Sequence, residues 1–191
     1  MRRAVLWYSV RNRNRKADAI TAFLARESAV GLILVGISPA RQRNEGILER
    51  RLAEQTDILS ACDILPCPSS PWPFVQTDAR QLPYRDRAAG CVVSNAVIEH
   101  VGGLEDQRAF VAEHQRVGEA WVITTPNRWF PVESHTSVLF RHWSPRWRAA
   151  RPEFTRLLSR REFLDLLPPT AVVSGRPWSS TFIAFHAAVP A

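Results

Sequence analysis

Residues 75–101, VQTDARQLPYRDRAAGCVVSNAVIEHV, are the stretch that decides the fold of this chain. One apolar run ends at Asp78 and Ala79, a polar loop follows, and a second apolar run ends at Ser94 and Asn95. Such alternation is typical of two strands of an α/β sheet, each followed by a polar loop. Ligands of open parallel sheets bind just beyond the carboxyl ends of the strands, so these polar residues predict a ligand site.

Further apolar runs extend this pattern along the chain. Strands are predicted at residues 31–36, 57–62, 74–77, 90–94, 120–125, 170–174 and 181–188. Helices are predicted at residues 44–55 and 104–117, after the capping-box sequence that begins at Ser159, and around Glu99 and His100. Strands joined through helices favour parallel pairing, and the turn-prone residues 175–177 favour a closing hairpin. We therefore predict an α/β fold with a mostly parallel seven-stranded sheet and a C-terminal antiparallel hairpin.

Length and composition favour one domain covering residues 1–191. The chain is 46% hydrophobic and 23% charged, which is ordinary for a globular protein, and no apolar run approaches the ~20 residues of a bilayer span. Within this domain we expect a basic helical segment at 1–29 and a lid-like insertion at 126–152. Three cysteines without metal-ligand spacing predict buried free thiols and no metal site, which favours a cytoplasmic protein.

The net charge of +7 is concentrated in two flanks. Residues 1–16 hold six basic and no acidic side chains, and residues 141–162 hold seven basic ones against Glu153 and Glu162. Basic flanks attract phosphate, nucleic acid or an anionic membrane surface, so peripheral membrane contact is one interpretation. However, 24 of the 25 basic residues are Arg. This favours a chain-wide preference for arginine over lysine, with the flanks as ordinary solvated surfaces.

Residues 75–101 also resemble a known family at one position after another. Class I S-adenosylmethionine (SAM) methyltransferases of the type 11 group carry the pattern D-A-x-x-L-P-[FY]-x-D, followed by V-x-S-x-x-[VI]-[IL]-E-H-V. The matching residues are Asp78, Ala79, Leu82, Pro83, Tyr84, Asp86, Val93, Ser94, Val97, Ile98, Glu99, His100 and Val101. The resemblance implies a Rossmann-like seven-stranded sheet with helices on both faces, and SAM as the cofactor.

The glycine-rich turn of that family is only partly present. Its pattern D-x-G-x-G-x-G corresponds here to residues 34–40, LVGISPA, in which Gly36 is the one glycine and Leu34 replaces the acid. Glycine is wanted because the backbone must turn tightly and approach the ligand without a Cβ. Ser38 is small enough to hinder rather than block that approach. Gly36 and Ser38 are therefore candidate cofactor-binding residues, in a turn whose departure from the pattern also fits a decayed site.

The resemblance, together with the strand ends, implies the remaining cofactor residues. Asp63 would accept hydrogen bonds from the ribose hydroxyls, in the role of the acidic residue of dinucleotide folds. Asp78 and the amide of Ala79 would read the edge of adenine, with Leu82 as apolar surface for the ring. Asn95 would lie near the methionine part of SAM. The alternative for each Asp is an ordinary loop or helix cap.

The acceptor side is expected after the fifth strand. Residues 125–147, TPNRWFPVESHTSVLFRHWSPRW, combine aromatic rings with histidines and arginines, which suits an apolar or planar acceptor with an anionic group, or else a cover for the sheet edge. His100 and His135 are the candidate catalytic residues, because an imidazole can take a proton near neutral pH.

The leading hypothesis is an enzyme, a SAM-dependent methyltransferase acting on a small-molecule or lipid-linked acceptor, with oxygen as the expected site of methylation. One alternative is a catalytically degenerate binding or partner module with the same fold, because the glycine turn is incomplete. A further alternative is a nucleic-acid methyltransferase that uses the basic flanks. It predicts polyanion binding that weakens steeply with salt.

Overall fold

A seven-stranded sheet is the centre of the part of the chain that the structure describes. The computed structural model describes residues 2–37, 46–132, 138–150 and 156–188, except for the side chains of residues 2–6 and 9. The strands are β1 Leu32–Val35, β2 Ile58–Asp63, β3 Phe74–Gln76, β4 Ala89–Asn95, β5 Gly118–Pro126, β6 Val172–Ser174 and β7 Thr181–His186. Their order is β3-β2-β1-β4-β5-β7-β6. The first five strands pair in parallel and β7 is antiparallel to β5 and β6, which confirms the predicted sheet.

Helices cover both faces of this sheet, also as predicted. They are α1 Arg2–Glu27, α2 Ile47–Ala53, α3 Leu104–Val117, α4 Pro145–Ala149 and α5 Arg160–Leu166. Ile20 of α1 and Leu52 of α2 are buried in one core cluster, whereas Phe110 of α3 and Phe163 of α5 are buried in the other. The sheet therefore lies between two apolar layers.

Local sequence signals explain where several elements begin. Ser159 caps α5: its hydroxyl accepts from the amide of Glu162, and the Glu162 carboxylate accepts from the amide of Ser159. This is the capping box that the sequence predicts. In α1 the buried residues Ala17, Ile20 and Leu24 recur at helical spacing, so the C-terminal half of this helix has an apolar stripe.

The prediction of a helix around Glu99 and His100 is wrong. These residues lie in a turn between β4 and α3, and the next helix begins at Leu104. Ala96 and Gly102 have positive φ angles of 58° and 127°, which the right-handed helix does not allow. The backbone therefore leaves helical geometry on both sides of the pair.

Two expectations from composition concern the described residues. Their helices include none that is long and apolar enough to cross a membrane. The three cysteines, Cys62, Cys67 and Cys91, are buried free thiols, as predicted.

Candidate cofactor site

The register of the parallel strands brings the predicted cofactor residues to one edge of the sheet. Val35 pairs with Cys62 of β2 and with Ser94 of β4, so the residues that follow these three strands are neighbours. Asp63 pairs with Gln76, two positions before Asp78. Gly36, Asp63, Asp78 and Asn95 are thus the polar or glycine residues at four adjacent strand ends, although they are distant in sequence.

Gly36 occupies a position that only glycine fits without strain. Its φ angle is +81°, and a Cβ built on it would lie 2.1 Å from Cγ2 of Val97. The Gly36 amide donates to the carbonyl oxygen of Cys62 at 2.8 Å, which ties the turn to β2. The predicted need for a tight turn is therefore met at Gly36. Ser38 lies outside the described residues, so its predicted role stays a prediction.

Asp63 extends the end of β2 with a half-buried carboxylate. One oxygen, Oδ1, accepts from the amide of Leu65 at 2.8 Å. Burial raises the pKa of Asp63, and hydrogen bonds from the amides of Leu65 and Ile64 partly oppose this. A carboxylate held this way still presents oxygen lone pairs, which suits hydroxyl donors such as those of a ribose.

Asp78 is engaged by an arginine two positions later. Arg80 Nε donates to both carboxylate oxygens at 3.0 Å, and its Nη1 donates to Asp106 Oδ1 at 2.5 Å. These bonds hold the pKa of Asp78 below its usual value. A ligand that uses Asp78 as an acceptor must therefore share the carboxylate with Arg80 or displace it.

The two predicted neighbours of Asp78 differ in accessibility. Ala79 is partly buried and packs against the core cluster between the sheet and α3. Leu82 belongs to that cluster, with an exposed fraction of 3%, and its amide donates to Glu113 Oε2 at 2.6 Å. Leu82 therefore anchors the loop to α3 and offers little open surface in this conformation.

Asn95 is the centre of a polar network at the end of β4. Its Oδ1 accepts from Thr124 Oγ1 at 2.9 Å and from Lys16 Nζ at 2.5 Å. Thr124 Oγ1 in turn accepts from the amide of Ala96 at 3.1 Å. Lys16 belongs to α1 and has an exposed fraction of 8%, and its burial lowers its pKa to about 8. The N-terminal helix thereby contributes a buried amine to the site.

His100 lies beside a fully buried acid. Its Nε2 is 3.9 Å from Glu99 Oε1, and 36% of its side chain is exposed. Glu99 Oε2 accepts from Thr125 Oγ1 at 3.3 Å, which connects the turn to the end of β5. The Glu99 carbonyl oxygen accepts from the amide of Arg156 at 3.0 Å. The exposed imidazole is thus attached to a turn that is fastened on two sides.

Aromatic rings cluster after β5 and leave part of their surface exposed. Trp143 contacts Trp129 edge-on, with 6.3 Å between ring centroids, and Phe140 at 4.8 Å. The exposed fractions of Trp129 and Phe140 are 53% and 48%. Tyr8 of α1 stacks on Phe130 at 5.7 Å, so the N-terminal helix contacts the same segment. His135, the second predicted catalytic residue, lies outside the described residues.

Arg128 connects this aromatic cluster to α5. Its guanidinium lies 5.0 Å from the ring centre of Trp129 and pairs with Glu162, with Nη2 to Oε2 at 2.7 Å. Asn127 fixes the preceding backbone through its Nδ2, which donates to the carbonyl oxygens of Pro177 and Ser179. The base of the predicted lid is therefore ordered by polar contacts, with aromatic surface above it.

Two cavities near the strand ends differ widely in size. The larger, about 480 Å³, is an open depression beside the edge strand β3, lined by Trp72 and Gln76 among others. The smaller, about 10 Å³, lies between β1, β4 and α2 and is lined by Glu49 and Asn95 among others. Ligand pockets usually enclose about 300–1,000 Å³, so a ligand at Asn95 must open this space or lie outside it. The described residues contain no group of three or more His, Cys, Asp or Glu that could hold a metal ion.

The part of the chain that forms this site is similar to known methyltransferases. Residues 52–120 match the family model described as "Methyltransferase domain". The protein has the fold of the class I SAM-dependent methyltransferases. The resemblance seen in residues 75–101 is thereby confirmed. No curated protein matches the chain.

Three solved structures illustrate the likeness to other class I methyltransferase folds. A protein of Pyrococcus horikoshii OT3 has a TM-score of 0.60 at 11% identity, over 93% of this chain and 92% of that one. The 1,6-didemethyltoxoflavin-N1-methyltransferase of Burkholderia thailandensis, solved with S-adenosylhomocysteine, has a TM-score of 0.52 at 15% identity, over 92% and 78%. The N-methyltransferase NodS of Bradyrhizobium japonicum WM9, also solved with S-adenosylhomocysteine, has a TM-score of 0.54 at 11% identity, over 93% and 96%.

Sequence reasoning did not identify two residues of this methyltransferase-fold site, Lys16 and Thr124. Thr124 is an unremarkable strand residue, and no sequence signal marks it. Lys16, in contrast, is the single lysine of a chain that otherwise uses arginine at 24 positions. Arginine stays charged in proteins, whereas a buried lysine can change its pKa readily, so the two residues are not equivalent at such a place.

The residues at the strand ends fit an adenosyl cofactor in their chemistry. The carboxylates of Asp63 and Asp78 suit hydroxyl and amino donors, and Gly36 makes the tight turn after β1. Asn95 and Lys16 place an amide and an amine at the neighbouring end of β4. Two departures count against tight binding. Leu34, in place of the family's acid, is buried in the core with an exposed fraction of 2%, and Asp78 is engaged by Arg80.

Proposed function

We propose that this protein is a SAM-dependent methyltransferase whose acceptor is a small molecule or a lipid-linked compound. The observation that carries the proposal is the convergence of Gly36, Asp63, Asp78 and Asn95 at adjacent strand ends of a class I methyltransferase fold. Bound SAM supplies an electrophilic methyl group on its sulfonium. Two of the similar structures were solved with S-adenosylhomocysteine, the product of such a transfer, which supports the choice of cofactor.

In this proposal the residues at the strand ends hold the cofactor, and the aromatic cluster that follows β5 holds the acceptor. Asp63 accepts from the ribose hydroxyls, Asp78 from the adenine amino group, and Asn95 faces the methionine end. Methyl transfer is accelerated largely by holding the nucleophile in line with the methyl group and away from water. The exposed faces of Trp129 and Phe140 provide an apolar wall for the acceptor, and Arg128 beside them favours an acceptor with an anionic group.

His100 is the proposed general base, which takes the proton from a hydroxyl group of the molecule that receives the methyl group. Its imidazole is partly exposed, and the neighbouring Glu99 is anchored by Thr125, so the ring is held near the end of β4. Oxygen as the methylated atom stays a prediction from the sequence. The names of similar structures include methylation at nitrogen and at carbon.

Calorimetric titration with SAM and with S-adenosylhomocysteine tests the proposal, using the intact protein, Asp78→Ala and a matched control. The control is Asp86→Ala, which removes an exposed carboxylate that pairs with Arg116 elsewhere on the same loop. Loss of a hydrogen bond to a charged group costs about 1.5–3 kcal/mol, so Asp78→Ala should weaken binding by roughly 10- to 100-fold. Asp86→Ala should bind as the intact protein does. If the intact protein binds neither SAM nor S-adenosylhomocysteine, the proposed methyltransferase activity is refuted.

The second candidate is a binding or partner module that keeps the fold without turnover. Leu34 at the acid position and the Arg80–Asp78 ion pair favour it, because both remove interactions that a tightly held cofactor would use. This candidate predicts that neither SAM nor S-adenosylhomocysteine binds, and that Arg80→Ala, which frees Asp78, does not restore binding.

A further inference from the structure

Lys16 is the least expected group at the strand ends. It is the only lysine of the chain, it has an exposed fraction of 8%, and its Nζ lies 2.5 Å from Asn95 Oδ1. Of the nearby arginines of α1, Arg11 and Arg15 are exposed and Arg13 is partly buried. Lys16 is thus the basic residue that this part of the helix buries, with its amine at the end of β4.

The hydrogen bonds of Lys16 are incomplete within the described part of the chain. A protonated amine has three N–H donors, and there one of them is used, by Asn95. No described carboxylate lies within ion-pair distance of Nζ, although Glu99 and Glu49 attract its charge from farther away and Arg13 repels it. A buried ammonium group without an anionic contact is unfavourable, so an anion that enters here gains from both the charge and the remaining donors.

The position of the amine indicates which anion. Asn95 is the residue that the proposed function assigns to the methionine end of SAM, and that end carries a carboxylate. We propose that Lys16 is the carboxylate-binding residue of the cofactor site, and that it recognises the amino-acid end of the methyl donor from the N-terminal helix. This inference rests on the proposed function and adds to it a specificity residue that lies outside the family pattern.

The inference makes α1 part of the cofactor site rather than only a cover for the sheet. Asn95 orients the amine, and Thr124 fixes Asn95 from β5, so two strands and a helix hold one nitrogen atom. The ammonium group of lysine is compact and carries its charge on one nitrogen atom, so it fits beside the single side-chain oxygen that Asn95 offers.

The test compares two ligands and three proteins. The ligands are S-adenosylhomocysteine and its decarboxylated analogue, which keeps the adenosine, the thioether and the amino group. The proteins are the intact chain, Lys16→Met, which keeps the apolar stem, and Arg15→Met, which removes one exposed positive charge from the same helix. Calorimetry gives each dissociation constant, and circular dichroism verifies that each variant is folded.

We expect the intact protein and Arg15→Met to prefer S-adenosylhomocysteine by roughly 10- to 100-fold, the strength of a charge-assisted hydrogen bond. Lys16→Met should lose this preference and bind both ligands alike. Retention of the preference in Lys16→Met would overturn the inference. Tighter binding of S-adenosylhomocysteine by Lys16→Met than by the intact protein would also overturn it, because Lys16 would then repel the ligand's amino group rather than bind its carboxylate. If the intact protein binds neither ligand, the proposed function itself fails.

A second measurement needs only the intact protein and so remains decisive if Lys16→Met does not fold. The carboxylate should raise the pKa of Lys16, which is about 8 in the free protein, so binding near pH 9 should take up protons. The charged groups around Lys16 are Arg13 on α1, Glu49 on α2 and Glu99 on the β4–α3 turn. Titrations in two buffers of different ionisation heat measure the uptake. Equal uptake with the decarboxylated analogue would contradict the inference.

Discussion

Replacement of Gly36 by alanine should destabilise the fold through two separable effects. The φ angle of +81° costs an L-residue about 1–3 kcal/mol. In addition, the new Cβ would lie 2.1 Å from Cγ2 and 3.2 Å from Cγ1 of Val97, and such overpacking costs about 1–3 kcal/mol more. We expect Gly36→Ala to lower the free energy of unfolding by about 2–6 kcal/mol in total.

A double-mutant cycle with Val97→Ala separates the two effects. That substitution removes both γ carbons and leaves only the Val97 Cβ, 3.3 Å from the new methyl group. In the Val97→Ala background, Gly36→Ala should therefore cost only the conformational part, about 1–3 kcal/mol. Urea unfolding followed by tryptophan fluorescence gives the four free energies.

Gly103→Ala is the matched control for this cycle. Gly103 has a negative φ angle of −77°, and the nearest atom to an added Cβ is Asp106 Oδ2 at 3.8 Å. Its replacement should cost about 0.5–1 kcal/mol, because alanine is a poorer N-cap than glycine but meets no close contact there. If Gly36→Ala costs the same amount in the intact protein and in the Val97→Ala background to within about 0.5 kcal/mol, the contact with Val97 does not constrain the turn.

Three further predictions concern other parts of the molecule. Burial lowers the pKa of His114 to about 4, so the folded state binds fewer protons than the unfolded one; stability present above pH 6.5 is lost as pH falls toward 4. Between pH 7 and pH 5 the free energy of unfolding, measured with urea, should therefore fall by about 2 kcal/mol, and His114→Gln should abolish this fall. The same dependence of the free energy of unfolding on pH in His114→Gln would contradict the prediction. Gln107→Ala removes three hydrogen bonds of a fully buried side-chain amide: Nε2 donates to the carbonyl oxygens of Ile98 and Arg156, and Oε1 accepts from Arg156 Nη1. This change should lower the free energy of unfolding by about 2–3 kcal/mol, whereas a loss below about 0.5 kcal/mol would show that other contacts hold the turn. Trp129→Ala should raise KM for the acceptor while binding of S-adenosylhomocysteine is unchanged, with the similarly exposed Trp178→Ala as a control; equal effects of the two would remove Trp129 from the acceptor site.

The layout of the sheet was predictable because its strands are short apolar runs bounded by polar or turn residues. Val35, Asp63 and Asn95 end their strands close to where these runs stop in the sequence. Parallel pairing then determines that the residues after these strands meet at one edge of the sheet, where the family resemblance also places the candidate site.

The contents of the site were less predictable, because tertiary contacts decide them. Nothing in the sequence of α1 indicates that Lys16 is buried, since its burial depends on how this helix packs against the sheet. Likewise, the spacing of Asp78 and Arg80 does not reveal that the guanidinium bridges Asp78 and Asp106. The predicted helix at Glu99 does not form because Ala96 has a positive φ angle. Alanine usually favours helices, so the sequence does not indicate this conformation.

The two outer strands of the sheet affect how the molecule behaves at high concentration. β3 and β6 are its edges, and each is only three residues long, against a usual strand length of about 5–6. Pro73, directly before β3, has no amide hydrogen to donate. An unpaired edge of this length gives another chain little backbone to pair with, so the sheet resists growth by strand addition. The brevity of its outer strands thus protects the protein from edge-to-edge aggregation.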